Sequence, residues 1–313
     1  MHIVFYGAGG IGGYFGARLL AAGEDVSFVA RGRHAQAMRE QGLRIKSPLG
    51  DAQVATPSVS DDPAALPPAD FVVFAVKMPD AQSAAARLQP LMKPGTVVLP
   101  LQNGVEIVDV LSAALGSAAV ALGAAYIPAK IAEPGVIEHA GGFASLRFGP
   151  LQAAQRPALE AFAAACGRGK VHVELIDDMR RVMWEKFVFL VGMSSLTALT
   201  RLPIGVVRAD PELRALLQQV MDETAALARA EGVPLADDFV GKQMAVIDGL
   251  PALAKASMAN DLDGGKPLEL PWLAGAVARR SERAGLKSVA NRFVAAALGP
   301  YVHGSPAGAP RTA

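Results

Sequence analysis

Between His2 and about Glu174, short apolar β-rich runs alternate with helical stretches. The runs are HIVFYG, DVSFVA, FVVFAV, TVVLPL and AVALGAAY. This alternation predicts a parallel sheet covered by helices. Two stretches interrupt it: LRIKSPLGDAQV and AKIAEPGVIEHAGGFASLRFG carry Pro/Gly turn signals between short alternating runs, which predicts hairpins appended to the sheet. After Asp177 and Asp178 no strong strand pattern follows, and the remainder reads as helices. The clearest runs from Pro211 to Glu231. Asp210 suits its cap, Pro211 its first turn and Gly232 its end. Leu213, Leu216, Leu217, Val220, Met221 and Leu227 recur at helical spacing and predict one buried stripe. Another helix is expected from Pro271 to Gly285. The fold class is α/β: a Rossmann dinucleotide-binding domain over residues 1–178, then an all-α domain over residues 179–313. The tail GSPAGAPRTA from Gly304 is expected to be unstructured.

Composition narrows the partners. A chain of 313 residues suits two domains of ordinary size. Thirty Lys and Arg against 29 Asp and Glu give a formal net charge of +1, which points away from nucleic acid and anionic membranes and toward a small molecule. The opening MHIVFYG lacks a basic lead-in and a cleavage site, so no export signal is expected and the cytoplasm is the expected location. The longest nearly uncharged stretch, Phe187 to Thr200, falls short of the roughly 20 residues that span a bilayer and reads as a buried helix. The single Cys166, in AFAAACG, reads as a core thiol. His2, His34, His139, His172 and His303 show no metal-ligand spacing, so no metal is expected. Amphipathic C-terminal helices leave room for a homodimer as well as for an ordinary core.

The segment Gly7-Ala8-Gly9-Gly10-Ile11-Gly12 fits G-x-G-x-x-G directly after an apolar strand and before GGYFGARLLAAG. In that context the first two motif glycines allow a tight turn and close approach of a pyrophosphate. Gly12 lets helix pack on strand, and the helix N-terminus offers N–H groups to the phosphates. The second strand ends at Arg31, where an acid would favour NAD; an arginine suits the 2′-phosphate of NADPH, and Arg33 stands close enough in sequence to add a contact.

Further features occur in order: FVVFAV runs into Lys77, TVVLPL into Gln102-Asn103-Gly104, and the helical part opens with Met183-Trp184-Glu185-Lys186 before presenting Ser257 and Glu269. Together with the glycine loop they resemble the ketopantoate reductase (2-dehydropantoate 2-reductase) family over nearly the whole chain. The resemblance implies NADPH-dependent reduction of a 2-oxo acid. It implies Lys186 as general acid, Glu269 on the distal hydroxyl of the substrate and Ser257 on its carboxylate, with Asp261 as a supporting neighbour. It also implies Asn103 between cofactor and substrate, and Lys77 at the nicotinamide end. An ammonium can both stabilise and protonate the oxygen on which charge develops. Where the family commonly carries asparagines, four and eight residues after the lysine and three before the serine, this chain has Leu190, Ser194 and Ala254. The expected pocket is more apolar, so the substrate is pantoate's precursor, a related 2-oxo acid, or a more apolar carbonyl or imine. The alternative from another class is a non-catalytic NADPH-binding sensor.

Overall fold

The computed structural model describes residues 1–306. Twelve strands lie in its first part: β1 Ile3–Tyr6, β2 Val26–Val29, β3 Leu43–Lys46, β4 Ala52–Val54, β5 Ser58–Ser60, β6 Phe71–Phe74, β7 Val97–Pro100, β8 Leu122–Tyr126, β9 Ala129–Glu133, β10 Val136–His139, β11 Ser145–Gly149 and β12 His172–Leu175. The helices are α1 Gly10–Ala21, α2 Gly32–Gln41, α3 Met78–Ala85, α4 Ile107–Leu115, α5 Arg156–Arg168, α6 Met179–Thr200, α7 Ile204–Ala209, α8 Pro211–Ala230, α9 Phe239–Asp248, α10 Ser257–Asp263, α11 Ala274–Arg283 and α12 Val289–Leu298.

The chain divides into two compact units, one of Met1–Gln102 with Ile107–Met179, the other of Asn103–Glu106 with everything from Arg180 on. The division is not the single cut that composition suggests, because four residues after β7 group with the later helices.

In the first unit, five strands form a wholly parallel sheet in the order β5-β2-β1-β6-β7. Every residue of β1, β2, β6 and β7 is buried, as expected of a parallel sheet covered on both faces. Phe5 stands in register with Phe28 on one side and Val73 on the other. Phe71 stacks on Phe162 at 4.3 Å, tying the sheet to α5.

Two expectations are corrected here, and one strand was not expected. The two hairpins are present, as β3–β4 and β9–β10, but they pair with each other into a sheet of their own, β4-β3-β10-β9. The run AVALGAAY meets the parallel sheet only through a bridge between Val98 and Val120; β8 then joins β11 and β12 in a third sheet. β5 carries no strong apolar run, and pairing with β2 makes it a strand. In each case partners distant in sequence decide the pairing.

In the second unit the regular elements among the described residues after Arg180 are all helical. α8 starts as expected, with the Asp210 carboxylate accepting from the Leu213 N–H at 2.9 Å, and Gly232 beyond its end has φ +79°. The helix expected from Pro271 opens instead with a 3₁₀ turn over Leu270–Trp272 and becomes α-helical at Ala274. Glu223 on α8 accepts from the Ala290 and Asn291 N–H groups and from Asn291 Nδ2, capping α12 from outside. α6 is 22 residues long, longer than its uncharged stretch, and so reaches a membrane-crossing length. Its Trp184, Phe187, Val188, Val191 and Leu196 are nevertheless buried in the core of this unit. Within the tail expected to be unstructured from Gly304, the Gly304 and Ser305 N–H groups donate to the Tyr301 and Gly265 carbonyls, and residues 307–313 lie outside the described residues.

Candidate active site

The glycine loop sits between β1 and α1. Gly7 has φ +103°, and a Cβ there would lie 2.9 Å from the Ala75 carbonyl carbon and the Val76 nitrogen. A Cβ at Gly12 would lie 2.0 Å from the Gly7 oxygen, so helix and loop can close only on glycine. Gly10 is equally constrained, by the Ala129 carbonyl 2.3 Å away, a contact invisible in the local motif. Gly9 differs: nothing stands within 4 Å of the space a Cβ would fill. An open position at the N-cap of α1, whose first turn has no acidic residue, fits a pyrophosphate close to the backbone. Ala8 is buried and Ile11 packs against the core, so the loop is held rigidly from beneath.

β2 and β6 flank β1 in parallel, so the segments leaving them emerge at the same sheet edge as this loop. Arg31 is the N-cap residue of α2, exposed and ion-paired with Asp80 of α3. Lys77, exposed, is the N-cap residue of α3. Arg33 lies exposed in the first turn of α2. Gln102 donates from Nε2 to the Val76 carbonyl at 2.9 Å, while its Oε1 is buried without a partner. Asp80 was not singled out by the sequence, and Gln102 entered only within Gln102-Asn103-Gly104, with no role of its own. Gln102 had a signal, its place beside Asn103; Asp80 had none, since its partner lies 49 residues away.

In the second unit three of the expected residues meet. Lys186 Nζ donates to Asn103 Oδ1 at 3.3 Å, and Asn103 Nδ2 donates to Glu269 Oε2 across a long 3.5 Å. Asn103 is therefore more than the first half of an Asn-Gly turn, although Gly104 does take the positive φ of +100° such a turn uses. Glu269 heads the 3₁₀ turn without capping it through its side chain. Lys186 is half-buried by surface, and enough protein surrounds its ammonium to disfavour the charge. Burial pulls it from 10.5 down to about 8, against the smaller upward pull of Glu269. One and two turns on, Leu190 packs against the apolar core and Ser194 is buried with a partnerless Oγ. Ala254 packs against the same core. Ser257 is exposed at the start of α10 and makes no hydrogen bond among the described residues. Asp261, half-buried, lies one turn further along α10.

Among the described residues, no three His, Cys, Asp or Glu side chains group as metal ligands. Burial pushes the Cys166 thiol up to about 12, which leaves it unreactive.

Two family models match the chain in sequence order: ketopantoate reductase PanE/ApbA over residues 3–153 and the C-terminal part of the same family over residues 178–302. The chain belongs to the ketopantoate reductase family. The 2-dehydropantoate 2-reductase of Halobacterium salinarum is 33% identical over 283 residues, which are 90% of this chain and 92% of that one. A ketopantoate reductase family structure from Ralstonia eutropha is 35% identical with a TM-score of 0.87, covering 96% of this chain and 98% of the other. A D-mandelate dehydrogenase structure, 19% identical, covers 96% of this chain and 98% of its own at a TM-score of 0.87 and shows the shared fold. As a member of the ketopantoate reductase family, the protein is an NADP-dependent oxidoreductase of oxo acids, which sets the sensor alternative aside.

Proposed function

We propose that this protein reduces 2-dehydropantoate or a related 2-oxo acid with NADPH, with Lys186 as the general acid. The hydride chemistry belongs to the dinucleotide when bound. What the chain must supply is a proton and a counter-charge for the carbonyl oxygen. One observation carries the reading: an enclosed ammonium, titrating near 8, joined to Asn103 and Glu269. At neutral pH such a group is charged, yet gives up its proton far more readily than a solvated lysine. Asn103 orients it through Oδ1. Glu269 supplies an acceptor suited to a substrate hydroxyl, and Ser257 a hydroxyl suited to the carboxylate. Gly7, Ala8, Gly9, Gly10, Ile11 and Gly12 would hold the pyrophosphate, Arg31 the 2′-phosphate and Lys77 the nicotinamide end.

Leu190 and Ala254, where the family commonly carries asparagine, favour a broader or more apolar substrate than 2-dehydropantoate alone, because an apolar pocket discriminates weakly between homologues, by about 1 to 3 kcal/mol per methylene. The test is NADPH oxidation with 2-dehydropantoate, branched and aromatic 2-oxo acids and a cyclic imine. Activity on several 2-oxo acids is expected. Glu269→Gln should penalise 2-dehydropantoate more than acids lacking its hydroxyl, and Leu190→Asn with Ser194→Asn should narrow the range. Oxidation of NADPH with none of the 2-oxo acids would overturn the proposal. A cytoplasmic location and a homodimer belong to the same reading.

A further inference from the structure

The residue best suited to read the NADPH 2′-phosphate already holds an anion. Arg31 leaves the end of β2 and Asp80 lies in the first turn of α3, after β6. Because β2 and β6 sit on opposite sides of β1, the two side chains meet across the sheet edge that carries the glycine loop, and the guanidinium donates to the Asp80 carboxylate. Both are accessible, with side-chain exposures of 77% and 43%, so the pair is weak enough to be exchanged and open to a ligand. A further basic side chain, Arg87, is engaged by Asp62 at 3.7 Å and by the Asp61 carbonyl.

We propose that Asp80 is a specificity-determining residue for the cofactor, setting the balance between NADPH and NADH by competing for Arg31. The proposal rests on the reading of the glycine loop and Arg31 as the dinucleotide site. A 2′-phosphate can use Arg31 only by drawing it from Asp80 or sharing it, and sharing brings two anions together. A 2′-hydroxyl meets no such conflict: it can donate to the Asp80 carboxylate while Arg31 stays neutralised. In a Rossmann site an acid on that hydroxyl is what selects NAD. Here the acid comes from α3 instead of from the end of β2, so a site that shows an arginine in sequence is electrostatically mixed. NADH is then a usable cofactor, and the preference for NADPH is smaller than Arg31 alone would give.

The experiment is a fluorescence titration of NADPH and NADH against the whole chain, comparing wild type, Asp80→Asn, Arg31→Ala and the double variant at fixed ionic strength. Thermal melts confirm that each folds, which two exposed side chains favour. Asp80→Asn should tighten NADPH by up to about fivefold, the scale of one exposed ion pair released for the phosphate, and leave NADH equal or weaker. Arg31→Ala should weaken NADPH much more than NADH. In the Arg31→Ala background, Asp80→Asn should lose most of its effect on NADPH, since the competition needs both partners. Weaker NADPH binding in Asp80→Asn would show that the carboxylate positions Arg31 for the phosphate, and an unchanged ratio would show that it is a bystander; either overturns the proposal. If Arg31→Ala leaves both cofactors unaffected, the underlying placement of the dinucleotide fails, and the proposal with it.

Discussion

Replacing Lys186 by methionine should make the protein more stable while removing its activity. The two side chains are close in length and volume, so the exchange removes a charge and leaves the packing nearly intact. In the folded protein the ammonium titrates near 8 instead of 10.5, and that value already includes the attraction of Glu269. At 1.36 kcal/mol per pH unit the difference corresponds to a penalty of at most about 3 kcal/mol for keeping the group charged. The sign follows from proton binding. Between about 8 and 10.5 the unfolded chain binds more protons at this site than the folded one, so wild-type stability rises with pH across that window. Below about 8 the penalty is present in full; above 10.5 it is gone. Denaturant unfolding of both proteins at pH 7 and pH 9.5 should therefore show Lys186→Met ahead by up to about 3 kcal/mol at the lower pH and by clearly less at the higher. Loss of a general acid should lower turnover by about 10²- to 10⁴-fold with little change in NADPH affinity. A variant less stable than wild type at pH 7, or one whose advantage does not change with pH, would refute the desolvation argument; a variant with normal turnover would refute the catalytic role.

Three further outcomes follow from the same geometry. Wild-type kcat/KM should fall as pH rises through about 8, as the acid loses its proton, and Glu269→Gln should move the midpoint lower by removing the group that pulls it up; a midpoint unmoved or raised in a pH–rate profile counts against their coupling. Gly9→Val should block both cofactors in binding titrations without changing the melting temperature, since the space there is open, whereas Gly12→Ala should lower the melting temperature because its Cβ would lie 2.0 Å from the Gly7 oxygen. Glu223→Ala should cost about 1 to 3 kcal/mol in denaturant unfolding, since it leaves the α12 N–H groups and Asn291 without their acceptor.

What the sequence determined is what near neighbours decide. A glycine pattern at a strand-to-helix junction predicts a tight loop suited to a phosphate because turn, close approach and helix packing all occur within six residues. Asp210, Pro211 and Gly232 mark the limits of α8 because caps act within one turn. Apolar runs became strands because both faces of a parallel sheet are covered. The identities of Lys186, Asn103 and Glu269 were legible through an ordered set of motifs, but not their meeting: Asn103 and Glu269 are 166 residues apart. Tertiary structure alone decided three things. It gave the hairpins a sheet of their own, since register and partner depend on which edges the fold leaves open. It enclosed the Lys186 ammonium and so set its acidity, because desolvation is a property of surrounding atoms and not of the helix that bears the residue. And it placed Asp80 against Arg31, turning an arginine that reads in sequence as a phosphate ligand into half of an ion pair, because charges separated along the chain interact only when the sheet brings their strand ends to one edge.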